Sequence, residues 1–124
     1  MTKKNVLALS AVAEAGTGLL LLAWPPIVVR LLFGGEISGA GFIMSRIAGI
    51  ALIGLGVACW PGSAFFQPLN GMLTYSTMAM LYLLVVGVRG EGVGPLLWPA
   101  VAAHAILVIL LFRIRLKEGK SQAA

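Results

Sequence analysis

Phe42 to Trp60 reads FIMSRIAGIALIGLGVACW. Arg46 is its single charge, and Pro61 and Gly62 follow as punctuation that closes a helix. A hydrocarbon core about 30 Å thick is crossed by about 20 apolar residues in helical form, so the stretch predicts a transmembrane helix. Gly41, Ser45 and Gly49 recur every fourth residue, a smooth stripe along which a second helix can approach closely.

Three further spans flank this one. The first runs from about Asn5 to Trp24 and closes at Pro25 and Pro26. Lys3 and Lys4 followed by Ala11, Val12 and Ala13 mimic a cleavable leader, but Leu19 to Trp24 carry the hydrophobicity well past that point, which favours a retained helix. Ile27 to Phe33 is too short to cross again, breaks at Gly34 and Gly35, and is expected at the far interface with Arg30 toward the headgroups. A third span covers about Gly71 to Val88, after a loop at 61–70 with two prolines and no charge. Arg89 to Gly94 form a turn. The fourth span starts near Pro95 and ends near Ile114, before a basic tail.

Composition agrees. Of 124 residues, 60% are hydrophobic and 10% charged, against roughly 25% charged in soluble domains, which argues against a water-soluble monomer. The expected fold is an all-α membrane protein: one domain over residues 1–124, a four-helix up-and-down bundle with both termini cytoplasmic, in a bacterial inner membrane. What remains outside the spans is too short for a separate catalytic domain. The net charge of +5 does not point to nucleic acid, because Lys3, Lys4, Arg113, Arg115, Lys117 and Lys120 cluster beside apolar segments, where basic residues mark the cytoplasmic side. Such clusters also hold anionic lipid headgroups in a generic way. Cys59, the one cysteine, excludes an internal disulfide and reads as a small buried apolar residue near a helix end.

Trp24, Trp60 and Trp98 each precede a proline at a span end, as indoles marking membrane depth do. Glu14, Arg46 and His104 are the ionisable residues placed within spans, and each needs protein, water or a partner around it. At about 1.5 Å per residue, Glu14 and His104 both fall near the midplane, with Tyr82 at a comparable depth and Tyr75, Thr74 and Asn70 nearer the inner boundary. Arg46 lies near the outer end of its span, able to snorkel or to reach inward toward Glu14. Ser10, Glu14, Thr17 and Gly18 form a narrow polar strip expected to face the bundle. Two roles follow for the buried charges: a hydrogen-bonded cluster that fixes helix register, or a protonation site at Glu14. Ala100 one turn before His104 also leaves space for an axially ligated haem or pigment, although no cofactor is expected. No spaced Cys/His set, nucleophile elbow or phosphate loop is present in the sequence; the Gly90 to Gly94 stretch has no strand before it and reads as a turn.

Two family resemblances bear on function. Ala13 to Thr17, in the first of four short helices, resembles the start of small multidrug resistance transporters, whose membrane-embedded glutamate binds protons and cationic drugs in turn; the resemblance carries over to Glu14 alone. The layout of four helices in about 120 residues, with Arg46, Gly49, Gly54 and Gly56 in the second, is similar to the DoxX-like group of small bacterial membrane proteins. That similarity implies an accessory subunit. The expected function is therefore a non-enzymatic accessory or scaffold protein, in a homo-oligomer or a larger membrane complex, with a proton-coupled carrier as the alternative.

Overall fold

The computed structural model describes residues 2–90 and 92–124, and those residues form five helices without a strand. They are α1 (Lys3–Ala23), α2 (Pro25–Phe33), α3 (Ala40–Ala58), α4 (Phe66–Arg89) and α5 (Leu97–Ala123). All but α2 are long and apolar enough to cross a membrane. Thr2 caps α1, its hydroxyl accepting from the Asn5 amide. Trp24 ends α1 and precedes the two prolines that open α2, a helix position where a missing N–H costs nothing. Gly34 and Gly90 end α2 and α4 in the left-handed conformation, at φ of 68° in each case.

The element bounds correct the expected spans at both ends of the second half. The 61–70 segment is not all loop: α4 begins at Phe66, because Pro68 falls in its first turn, where proline is tolerated. The fourth helix begins at Leu97 rather than Pro95. Residues 94–96 are held elsewhere, with the Gly94 and Leu96 amides donating to the Leu32 and Leu31 carbonyls at the end of α2. It also runs past Ile114 to Ala123, so the basic tail is helical. Glu91, part of the expected turn after Arg89, lies outside the described residues.

The four long helices alternate in direction and pack as two pairs, α1 with α3 and α4 with α5. The pairs meet through α1, which touches both α4 and α5. The consecutive helices α3 and α4 share little contact, so the arrangement is not a ring of sequence neighbours. Lys3 Nζ donates to Glu118 Oε1 at 2.6 Å, which places the two ends of the chain at one end of the bundle. The tightest apolar core lies in the half near that end, where Val6, Leu7, Leu69, Met72 and Leu111 are buried together with Cys59.

Glycine explains the α1/α3 pair. A Cβ at Gly18 would stand 2.5 Å from the Gly49 carbonyl oxygen, and one at Gly56 would stand 2.7 Å from that of Ala11. Two helical turns separate each contact from the next on both helices, as antiparallel packing requires. The stripe expected at Gly41, Ser45 and Gly49 is therefore displaced toward Gly56. Gly41 meets only the Ile37 side chain, and Ser45 is half-exposed. Gly54, although within the same glycine-rich run, faces open space.

These contacts separate two substitutions of identical chemistry. We expect Gly49→Ala to destabilise the protein by about 1–3 kcal/mol through overpacking against the Gly18 backbone. Gly54→Ala should leave stability unchanged or slightly raised, since alanine is the better helix former. Thermal midpoints in one mild detergent compare the two; equal midpoints would contradict the packing described.

Candidate functional site

The polar strip of α1 turns inward. Ser10, Glu14 and Gly18 are buried, and Glu14 retains only 5% exposure. Ser10 and Thr17 return their hydroxyl protons to the carbonyls one turn earlier, Val6 and Ala13, so neither needs an outside partner. Glu14 has no such local option. A carboxylate cannot donate to its own helix's carbonyls when ionised, and it must find donors across the interface.

The polar groups nearest to Glu14 come from α4 and α5. The His104 Nδ1 atom lies 4.0 Å from Glu14 Oε1, and the Tyr75 side chain lies close to the same carboxyl group. Tyr75 also meets the His104 imidazole edge to face, with ring centroids 6.0 Å apart. Each residue comes from a different helix. The cluster thus spans the seam between the two helix pairs: Glu14 from one side, Tyr75 and His104 from the other.

Two expected members are absent from it. Tyr82 is 68% exposed, and Tyr75 takes the place assigned to it. The reason is helix length: α4 starts five residues earlier than Gly71, which moves Tyr75 about 7 Å deeper and carries Tyr82 beyond the site. Arg46 is exposed on α3 and has no polar partner among the described residues, so it does not reach Glu14. On α3 the inward positions are Gly49 and Gly56, and Arg46 falls outside that face.

Two buried polar atoms have no hydrogen-bond partner among the described residues, His104 Nδ1 and Ser76 Oγ. At 4.0 Å the histidine is near its carboxyl neighbour but outside direct hydrogen-bond reach. The cluster is thus only partly satisfied, which is costly at low dielectric and common where groups change partners. For a macrocycle the setting is poor. The imidazole is enclosed beside Tyr75 and Glu14, and none of the three lines the cleft between α1 and α5 or the one between α1 and α3. No group of three or more potential metal ligands occurs among the described residues.

The tryptophans lie at helix ends and are exposed: Trp24 between α1 and α2, Trp60 just past α3, Trp98 in the first turn of α5. At the end where the termini meet, Arg115 donates to Asn70 Oδ1 at 2.8 Å and lies over the Phe66 ring, while Lys3 lies over Phe65. Arg30 pairs with Glu36 at the opposite end, both well exposed. Compared with protein families, curated proteins and solved structures, the chain finds no match.

The two tyrosines give a test of the cluster. Tyr75→Phe removes the hydroxyl facing a buried carboxyl group and is expected to lower stability by about 1–3 kcal/mol. Tyr82→Phe, at an exposed position, should change it by less than about 0.5 kcal/mol. In the background of Glu14→Gln the Tyr75→Phe effect should shrink, and a double-mutant cycle on thermal midpoints measures by how much.

Proposed function

We propose that this protein is a non-enzymatic membrane subunit that joins copies of itself or a larger assembly through α3. Four helices cross a bacterial inner membrane, with both termini in the cytoplasm. The observation that carries the proposal is Arg46. α3 spends its glycine face on α1 and turns Arg46 outward among Ile43, Met44, Ile47 and Ile50. Arg46 is about 9 Å in from the start of the helix. A guanidinium facing lipid costs up to roughly 3 kcal/mol at mid-depth, less toward the headgroups, and a partner's carboxylate or carbonyl relieves it. The adjacent apolar side chains supply contact area for the same partner. The similarity to DoxX-like proteins implies the same class of role.

Orientation follows from charge. Lys3, Lys4, Arg113, Arg115, Lys117 and Lys120 against Glu118 leave the terminal end strongly basic, whereas at the opposite end Arg30 is paired with Glu36. Positive residues near span ends are retained on the cytoplasmic side. The net positive charge accordingly reflects insertion, with lipid and membrane protein as the partners and nucleic acid as neither.

A proton-coupled carrier is the second reading, favoured by the Glu14–Tyr75–His104 cluster, where a buried carboxyl group faces an imidazole lacking a bond on Nδ1. One set of measurements separates the two. For a subunit, native mass spectrometry of the protein extracted in mild detergent should show a dimer or larger complex that Arg46→Leu dissociates while the monomer stays folded. Proteoliposomes bearing a pH gradient should then take up no more cationic dye with the natural chain than with Glu14→Gln. Gradient-driven uptake lost only in Glu14→Gln would instead establish the carrier, and a monomer unaffected by Arg46→Leu would remove the support for association through α3.

A further inference from the structure

A cleft of about 420 Å³ opens beside the meeting point of the chain's two ends, between the start of α1 and the last turns of α5. Its walls are Lys3 and Val6 from α1, and Leu110, Arg113, Ile114, Lys117 and Glu118 from α5. The α5 members follow helical spacing, so they form one continuous face turned toward α1.

The cleft is graded along the helix axis. Glu118 and Lys117 lie at the outer rim with Lys3, and Leu110 lies two turns deeper, about 12 Å along α5. Ile114, Arg113 and Val6 line the way between. Of the charged groups, Lys3 is engaged with Glu118 at 2.6 Å. Arg113 and Lys117 are exposed and have no hydrogen bond or ion pair among the described residues. Three cations against one carboxylate leave two positive charges unbalanced over the outer half of the cleft, above Leu110.

We propose that this cleft is a binding site for one anionic phospholipid, its phosphate held between Lys117 at the rim and the long side chain of Arg113 reaching up from one turn below, and an acyl chain laid along Ile114 and Leu110. Charge complementarity selects the occupant. A phosphate ester offers oxygens that a guanidinium can hold with two parallel bonds and an ammonium as a point charge. The apolar depth below the rim has the length and direction of a chain running parallel to the helices, which a free phosphate lacks. The Lys3–Glu118 pair sets the position of the mouth by fixing α1 against α5. The site needs the bundle to lie in a bilayer, and it is independent of any association through α3.

The experiment titrates full-length protein in mild detergent with phosphatidylglycerol or with phosphatidylcholine of the same chains, and counts bound lipid by native mass spectrometry. A surface cation contributes roughly fivefold to anionic-lipid binding, so Arg113→Gln with Lys117→Gln is expected to weaken phosphatidylglycerol binding roughly thirtyfold. Lys4→Gln with Lys120→Gln removes the same charge from exposed positions outside the cleft and should weaken it far less. Equal losses in the two pairs would mean diffuse attraction rather than a site, and undiminished binding in the cleft pair would likewise overturn the proposal. Inorganic phosphate should not displace the lipid; displacement would assign the site to free phosphate. Phosphatidylglycerol carrying a photoreactive group on its acyl chain is expected to label Ile114 or Leu110, and labelling confined to other residues would reject the acyl-chain half of the proposal.

Discussion

A carboxyl group removed from water must find its partners inside the protein, and Glu14 finds them on the far side of the boundary between two helix pairs. Apolar side chains give little preference for helix over lipid tail, because both are equally oily. The α1/α3 pair closes by backbone contact at glycine, and the α4/α5 pair by Gly87 accommodating Leu97 and Trp98. Neither device reaches across to the other pair. Glu14, Tyr75 and His104 do so near mid-depth, and Lys3 with Glu118 does so at one end. Slippage of α1 by one turn would bring Ser10 or Gly18 to the level of the histidine, so the same contact that ties the pairs also sets their register.

The two kinds of contact divide the work. Close packing at glycine is short-ranged and unforgiving of volume, and it fixes how near two helices lie. Polar contacts between scarce groups in an oily surrounding are specific, and they fix which helices meet and at what level. The exposed Ile, Val and Leu residues over most of the surface would be an aggregation hazard in water and are ordinary in lipid.

The four long helices were legible because each repeats one strong signal over many residues: nearly unbroken hydrophobicity between proline, glycine and charge. Their ends were less so. Pro68 reads equally as a loop residue or as a first-turn residue, and read as loop it shortens α4 by five residues. That shift puts Tyr82 in place of Tyr75 at the level of Glu14, and Tyr82 in fact faces outward. Glu14 and His104 were legible as costly residues at matching depths. Arg46 was legible as costly too, but which way it faces depends on the rotation of α3, which its glycines decide. Gly41, Gly49, Gly54 and Gly56 look alike on paper. Only the neighbour that each one meets separates a contact from a bare patch of helix. The cleft formed by Lys3, Arg113 and Lys117 was out of reach, since residues more than a hundred positions apart compose it and the tail was expected beyond the last helix.

At the end opposite the termini, the α2 carbonyls of Leu31 and Leu32 accept from the backbone amides of Leu96 and Gly94, and a Cβ at Gly94 would collide with the Leu31 carbonyl oxygen. This clasp is written almost wholly in main-chain atoms. Its side chains are therefore free to drift over generations while the fastening persists, provided a glycine stays at position 94. Descendants of one ancestor could share the buckle and little of the lettering around it, so kinship among such proteins would be visible in the path of the chain long after it had faded from the alphabet of residues.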